Sequence, residues 1–525
     1  MDKEIVKISA VTAVALFLST GLVAGGVIIP AEQPAEQPVV EVKKSDKPKR
    51  QLNGNMTLKY NVLPGAVDNI GDLFSEGIFY GRLRNNNFYW DWDVETSKLQ
   101  DNKNSGAGGS LIFKSASLNS FSFMLGYYGS LNPEFLRMAK DEVQFSKSGK
   151  DTFSRYKVFT GGGYGMQALG EAYLQYNNDT VDVVAGRQLF ESVFTKSNDT
   201  KMIPNTFDGV SAAVKVAPKT KIRFAWFGAQ KLRDHETSHD VITFNNTDTD
   251  NRSQWTGNDD AAVHKGLNTK NFLAAGVDPD NNMFLADMSI KYIDNLKLDL
   301  SYLQIPNILQ DFVVEAHYKI PITDTGWSVR PGIRYFYQMD DGGGDIAGNT
   351  NLTGKTDSLV GSGYDASTLG SLDATLFNAR LDILMPNKKG FFRFGYSKVG
   401  DEADIITPWR GFPTGGFTRA MAQYNWTSNT ETLMARAVYK FNDTWKASIR
   451  YAIQDFDDNK DYVSADSNVI HIDTWTNITK DFQTRLRFGH VTANDDTLMI
   501  HNTDPSTLKP DYSYNEYRLE FNYMF

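Results

Sequence analysis

Apolar and polar residues alternate one for one along much of this chain, in stretches bounded by Gly, Pro, Asn and Asp. The C-terminus shows the pattern most clearly. Tyr517, Leu519, Phe521, Tyr523 and Phe525 are separated by Arg518, Glu520, Asn522 and Met524. Successive side chains of a strand point to opposite faces, so this segment has one apolar face and one largely wet face. Taken alone it also suits an amphipathic edge strand of a soluble sheet. The number and spacing of its counterparts decide between the two.

The alternation predicts strands over 77–94, 107–116, 119–129, 168–177, 180–190, 206–217, 219–231, 283–293, 295–304, 308–320, 327–340, 371–385, 388–399, 429–441, 444–457, 467–480, 481–493 and 511–525. The connections between them mostly alternate in length. Pro218, Asp294–Asn295, Pro386–Asn387 and Asn442–Asp443 are short, whereas 130–167, 191–205, 232–282, 341–370, 400–428 and 494–510 are long. Segregation of loop length by parity is expected of an all-β transmembrane antiparallel barrel of about 18 strands, with short periplasmic turns and long outer loops. An even strand count leaves both ends on the periplasmic side. Ile305–Asn307 is the exception, a short connection where an outer loop is due. In such a barrel the terminal Phe521, Tyr523 and Phe525 are the expected membrane-insertion signal read by barrel-assembly machinery.

Sorting each strand into faces places its arginines together. Arg334, Arg380, Arg393, Arg436, Arg450, Arg485 and Arg487 all lie on the face opposite the aromatic and aliphatic residues. A charge on the lipid face costs a few kcal/mol near the midplane, so the arginines are expected to face the lumen. There they form either a basic track that attracts anions or carboxylates, or one half of wall-stabilising pairs with Asp382, Glu520 and loop acids. At this strand number the lumen is wide enough for an aqueous channel.

Composition narrows the alternatives. The 525 residues include no Cys, 42 Gly and 13% aromatics, and the net charge is −9. There is no nucleic-acid footprint in that charge, and no Cys-based metal site or disulfide framework is available. Lys3 and Lys7 precede an apolar run from Ile8 to Val23, which reads as an export signal over 1–24. A Pro-, Glu- and Lys-rich linker then covers 25–52, and the barrel domain covers 53–525. Too little chain precedes the first strand for a plug domain. Gly161–Gly165 lacks the Lys and following helix of a phosphate loop. The four-residue spacing of His235 and His239 lacks a third ligand, and the Asp-rich runs at 278–280 and 340–345 lack the spacing of a Ca²⁺ loop. No cofactor, metal or catalytic group is expected.

The segment Ala185–Val210 holds a strand ending Gly186-Arg187-Gln188, a loop carrying Asn198-Asp199-Thr200-Lys201-Met202-Ile203-Pro204, and a strand opening Thr206-Phe207-Asp208-Gly209. It resembles a signature of the OprD-like porins, including the Opr-family porins of epsilonproteobacteria. Phe74–Arg84 is similar to that family's entry into its first strand, and the likeness extends in pattern over about 53–525. The resemblance implies eighteen strands and a third outer loop (191–205) folded into the lumen. Asn198, Asp199, Thr200 and Lys201 would then sit at the pore constriction, and the seven arginines would correspond to the family's basic ladder. It implies a water-filled outer-membrane channel for ions and small hydrophilic solutes, embedded in outer-membrane lipid, with a homotrimer among the assemblies open to it. An adhesin or receptor acting through its long loops, chiefly 232–282, is the alternative; a rim protease or lipase is a weaker one.

Overall fold

The computed structural model describes residues 50–54, 56–97, 99–146, 152–233, 235–243, 264–347, 370–421, 424–461, 463–493, 496–499 and 506–525. The predicted leader (1–24) and linker up to residue 49 lie outside the described residues, as do 244–263 of the longest loop.

Eighteen antiparallel strands close into a barrel. They are β1 (Ile78–Trp92), β2 (Asn102–Lys114), β3 (Phe121–Leu131), β4 (Met166–Asn177), β5 (Val181–Gln188), β6 (Thr206–Ala217), β7 (Thr220–Lys231), β8 (Met283–Ile290), β9 (Leu296–Ile305), β10 (Leu309–Tyr318), β11 (Ser328–Asp340), β12 (Ala374–Leu384), β13 (Gly390–Val399), β14 (Glu431–Lys440), β15 (Trp445–Asp455), β16 (Ser467–Asn477), β17 (Phe482–Ala493) and β18 (Tyr514–Met524). Each predicted strand has its counterpart, usually trimmed by a few residues at the ends. The barrel closes between β18 and β1, in the register Leu519↔Asn87 and Met524↔Arg82. Phe525 completes the seam through reciprocal backbone hydrogen bonds with Gly81 at 3.1 and 3.0 Å.

The alternation has the orientation that lipid requires. On β18, Tyr517, Leu519, Phe521 and Tyr523 are exposed, while Arg518, Glu520 and Asn522 are buried. Phe392 and Phe394 on β13, Ile449 and Tyr451 on β15, and Leu486 on β17 continue the outer belt. No described helix is long and apolar enough to cross a membrane, and the strands supply the span. In the tight turns, Asn295, Asn307 and Asn387 adopt positive φ of 63°, 61° and 53°. Asn tolerates that conformation through local side-chain hydrogen bonding. Asn307 makes the short outer connection after β9 possible.

The largest apolar core is inside the barrel. Phe190, Phe194, Phe227, Ile242, Leu303, Phe336, Ile406 and Trp409 belong to one buried cluster that joins inner positions of β6–β12 to the outer loops. Three of those loops shape the lumen: loop 3 (189–205), loop 4 (232–282) and loop 7 (400–430). The chain before β1 folds too. Arg50–Leu52 pairs antiparallel with Leu58–Tyr60, so the last residues of the predicted linker are strand.

Candidate functional site

Loop 3 enters the lumen and is fastened at its tip. Asp199 is 1% exposed. Its carboxylate accepts from Arg84 Nη1 at 2.8 Å and also pairs with Arg82 Nη2; both arginines point inward from β1. The next carbonyl, Thr200 O, accepts from Asn86 Nδ2 at 2.8 Å and Arg518 Nη2 at 2.9 Å. The wet faces of β1 and β18 thus supply a matched cradle for one turn of loop.

Loop 7 is folded inward as well, against loop 3. Lys196 N–H donates to Trp409 O at 2.9 Å, Gly411 N–H donates to Phe194 O at 2.7 Å, and Thr195 and Arg410 form a backbone bridge. Trp409 Nε1 donates to Val241 O at 2.7 Å, which ties loop 7 to loop 4. The opposite wall grips the same loop through its carbonyls. Arg334 Nη1 donates to Pro413 O at 2.7 Å, and Arg380 Nη1 and Arg393 Nη1 donate to Gly416 O at 2.6 and 2.5 Å. Phe417 lies under the guanidinium groups of Arg334 and Arg380, 4.8 and 5.0 Å from their centres.

Between the inturned loops and the β14–β18 wall lies a cavity of ≈ 470 Å³. Among the described residues nine basic side chains line it: Arg233, Arg410, Arg419, Arg436, Lys446, Arg450, Arg485, Arg487 and Arg518. Asp473 is the one carboxylate among its lining residues. Asp473 Oδ1 accepts from Arg485 Nη2 at 2.7 Å and Arg487 Nε at 2.9 Å, with His471 Nε2 3.0 Å from the other oxygen. The six cations that β14–β18 contribute to the lining face Asp473 and, behind it, buried Glu516 and Glu520, so the lining is basic on balance. Glu520 pairs with Arg518 at 2.5 Å, behind the surface. Arg419 stands on loop 7, stacked 3.5 Å over Phe412, and faces the wall. Burial, with repulsion from Arg233, Arg410 and Arg487, pulls its pKa down to about 9. It remains charged at neutral pH.

No family model and no curated protein matches the chain. Solved structures do. OccAB3 of Acinetobacter baumannii superposes with a TM-score of 0.63 at 14% identity, over 86% of this chain and 99% of its own. OpdQ of Pseudomonas aeruginosa gives 0.58 at 15% identity, over 86% and 99%. The outer membrane protein OpdK of Pseudomonas aeruginosa gives 0.59 at 12% identity, with the same coverage. The fold is that of the OprD/Occ outer-membrane porins. The exposed apolar belt suits a barrel of this fold to a lipid surround.

Within this OprD-like barrel the four loop-3 residues divide by role. Asn198 and Thr200 line the cavity. Asp199 faces the wall, and Lys201 is fully buried. The seven strand arginines divide also. Arg436, Arg450, Arg485 and Arg487 reach the cavity. Arg334, Arg380 and Arg393 hold loop 7 in place. Arg330 and Arg393 share Asp382, at 2.8 and 2.6 Å. Sequence reasoning missed Arg233, Arg410 and Arg419, because nothing in an outer loop's local pattern says that it turns inward. Arg518 was on the wet face of β18 by alternation and belonged with the wall arginines.

Proposed function

We propose that this protein is a water-filled diffusion channel of the outer membrane that favours small anions, carboxylates in particular. The carrying observation is the charge of the narrowed lumen, with nine guanidinium and ammonium groups and one carboxylate among the described residues that line ≈ 470 Å³. Low-dielectric walls focus such a field on whatever enters. Guanidinium groups match a carboxylate in geometry as well as sign. Selection then combines size exclusion between loops 3 and 7 with electrostatic attraction along β14–β18. OpdK has also been solved with vanillate, a carboxylate; at 12% identity that lends the reading a precedent within the fold.

The test is a reversal potential. Refolded protein is recorded in a planar bilayer under a salt gradient. The expected result is steady conductance with anion preference, which weakens when Arg436, Arg450 and Arg487 are changed together to Ala. Cation preference would leave a channel but defeat the anion assignment. A folded, heat-modifiable barrel with no conductance would defeat both and bring forward the adhesin or receptor.

A further inference from the structure

Just before β1 the chain passes from the inside of the barrel to the outside. Tyr60 stacks on inward-facing Tyr80, with ring centres 5.0 Å apart. Phe74 packs instead on Phe123 of β3, at 5.4 Å. Phe123 shares its face with Phe121, Leu125 and Tyr127, which are exposed, while Ser122, Met124 and Tyr128 between them are buried. Phe113, 5.6 Å from Phe123, stands on the same side of β2 as exposed Leu111, and Phe79 of β1 meets it at 4.7 Å. Phe74 therefore joins a row of rings on the outer face, at the periplasmic ends of β1–β3.

The segment is fixed to the turn that joins β2 to β3. Ser117 N–H donates to Gly65 O and Ala116 N–H donates to Leu73 O, each at 3.0 Å, and Ala66–Val67 pairs in parallel with Ser117–Leu118. A short helix, Ile70–Ser75, begins at Asn69, whose Oδ1 accepts from Asp72 N–H at 2.9 Å. That bond satisfies one of the donors a helix start leaves open. At helical spacing Ile70, Leu73 and Phe74 share one side, and Asp72, Ser75 and Glu76 share the other.

The apolar side is left bare. Val62, Leu63, Ile70 and Phe74 are 55%, 67%, 68% and 55% exposed. A grouped patch of that kind marks a contact with protein or membrane. Its surroundings decide which. Phe79, Leu111, Phe121 and Leu125, all exposed, are the adjoining part of the apolar outer belt. The patch thus continues a surface that lipid covers in any barrel of this type. Apolar residues on one side of a short helix and acids on the other suit a segment that lies in the plane of the membrane interface.

We propose that residues 62–76 form an interfacial anchor in the periplasmic leaflet, with Val62, Leu63, Ile70 and Phe74 among the upper acyl chains of phospholipid and Asp68 and Glu76 toward water. Tyr60 inside and Phe74 outside then hold the wall of β1–β3 from both faces, beside the seam where the barrel closes.

Quenching of a site-specific fluorophore tests this on the full chain. The sequence has no Cys, so Leu63→Cys, Ile70→Cys and Phe74→Cys, with Asp68→Cys and Glu76→Cys for comparison, each take one bimane label. The labelled proteins are reconstituted in vesicles of phosphatidylethanolamine and phosphatidylglycerol. Labels at 63, 70 and 74 are expected to be quenched about twofold by phospholipid carrying a nitroxide high on its acyl chain and spared by iodide on both sides of the bilayer, with the reverse at 68 and 76. Iodide quenching as strong at 70 and 74 as at 68 would overturn the anchor. Shielding from both quenchers would overturn it as well, and pyrene excimer emission from the same sites would then mark a second copy of the chain as the occupant. Where a label prevents folding, the unlabelled pair Leu63→Asn with Ile70→Asn serves, since both residues are too exposed to matter to packing. Amide exchange at Ala116 and Ser117 in the bilayer should quicken about tenfold as the segment lifts from the interface. An unchanged rate in a folded, heat-modifiable barrel would overturn the proposal.

Discussion

Asp199→Asn separates two descriptions of loop 3. If the residue were an exposed filter, the change would alter ion preference and leave the loop where it is. The geometry makes it an anchor: a carboxylate 1% exposed, caught between Arg82 and Arg84, each buried. Replacing it by the amide leaves two guanidinium groups desolvated and without the charge that balanced them. Removing one partner from a buried ion pair costs about 3–5 kcal/mol. The hydrogen bonds to Thr200 O remain and keep the effect local. A loss of that size lowers the equilibrium for loop docking by about two to four orders of magnitude, at about 1.4 kcal/mol per tenfold. Amide hydrogen exchange measures it directly. Protection across 195–203 should collapse by about that factor, while protection of β1 and β18 is kept. Single-channel records should show added current noise as the loop swings. Removal of a negative charge beside the cavity should raise anion preference at the same time. Exchange within about threefold of the parent, in a barrel that is folded, would refute the anchoring argument.

Three further outcomes follow from the same contacts. Arg419→Gln removes one of the two cations that loop 7 brings to the cavity, so anion preference should fall with unfolding behaviour unchanged; reversal potentials and denaturation curves together check this. Gly411→Ala places a Cβ 2.1 Å from Phe194 O, so the hydrogen bond between loops 3 and 7 cannot survive, and limited proteolysis should cut 405–415 in the variant and spare it in the parent. Loop 4 should loosen in acid. Burial lowers His239 well below its ordinary value and His264 to about 4. The undocked loop therefore takes up protons first as pH falls through about 6.5, and docking stability is lost between there and about pH 4, by about 3 kcal/mol for His264. Exchange of the described loop-4 amides at pH 7 and pH 4.5 measures this, and equal protection at the two values would contradict it.

Strand number and facing were legible because alternation is a local property and lipid enforces it. The set Trp445, Ile449, Tyr451 and Ile453 against Lys446, Arg450 and Gln454 needed no tertiary knowledge to sort. Strand ends were less legible. Residues 291–293 continue the alternation of β8, but the chain leaves the sheet after Ile290 to reach the turn at Asn295. Loop 3 was reached through family likeness, and loop 7 was not reached at all. Trp409, Gly411, Phe412 and Gly416 have no period; their inward course is set by arginine donors on β11–β13, a hundred or fewer residues away in sequence but on the far side of any local window. The two readings of the strand arginines, open track or paired wall, also could not be separated by pattern. Arg393 and Arg436 occupy directly paired positions on β13 and β14, yet one clamps a loop and the other faces water.

The apolar cluster on the inner side of β6–β12 gives the interior two kinds of position with different freedom to change. On that side inward residues such as Phe336 and Leu303 share one buried cluster with loop residues, Phe194 among them, and a substitution there is felt as a packing error. Across the lumen, Arg436, Lys446 and Arg450 line the cavity, and a substitution there changes its charge at the cost of single contacts, such as Arg450 Nη1 to Arg419 O at 2.8 Å and Arg436 Nε to Ser448 Oγ at 3.0 Å. Mutation can therefore retune the charge of five strands of the interior while the packed half keeps the inturned loops where they are.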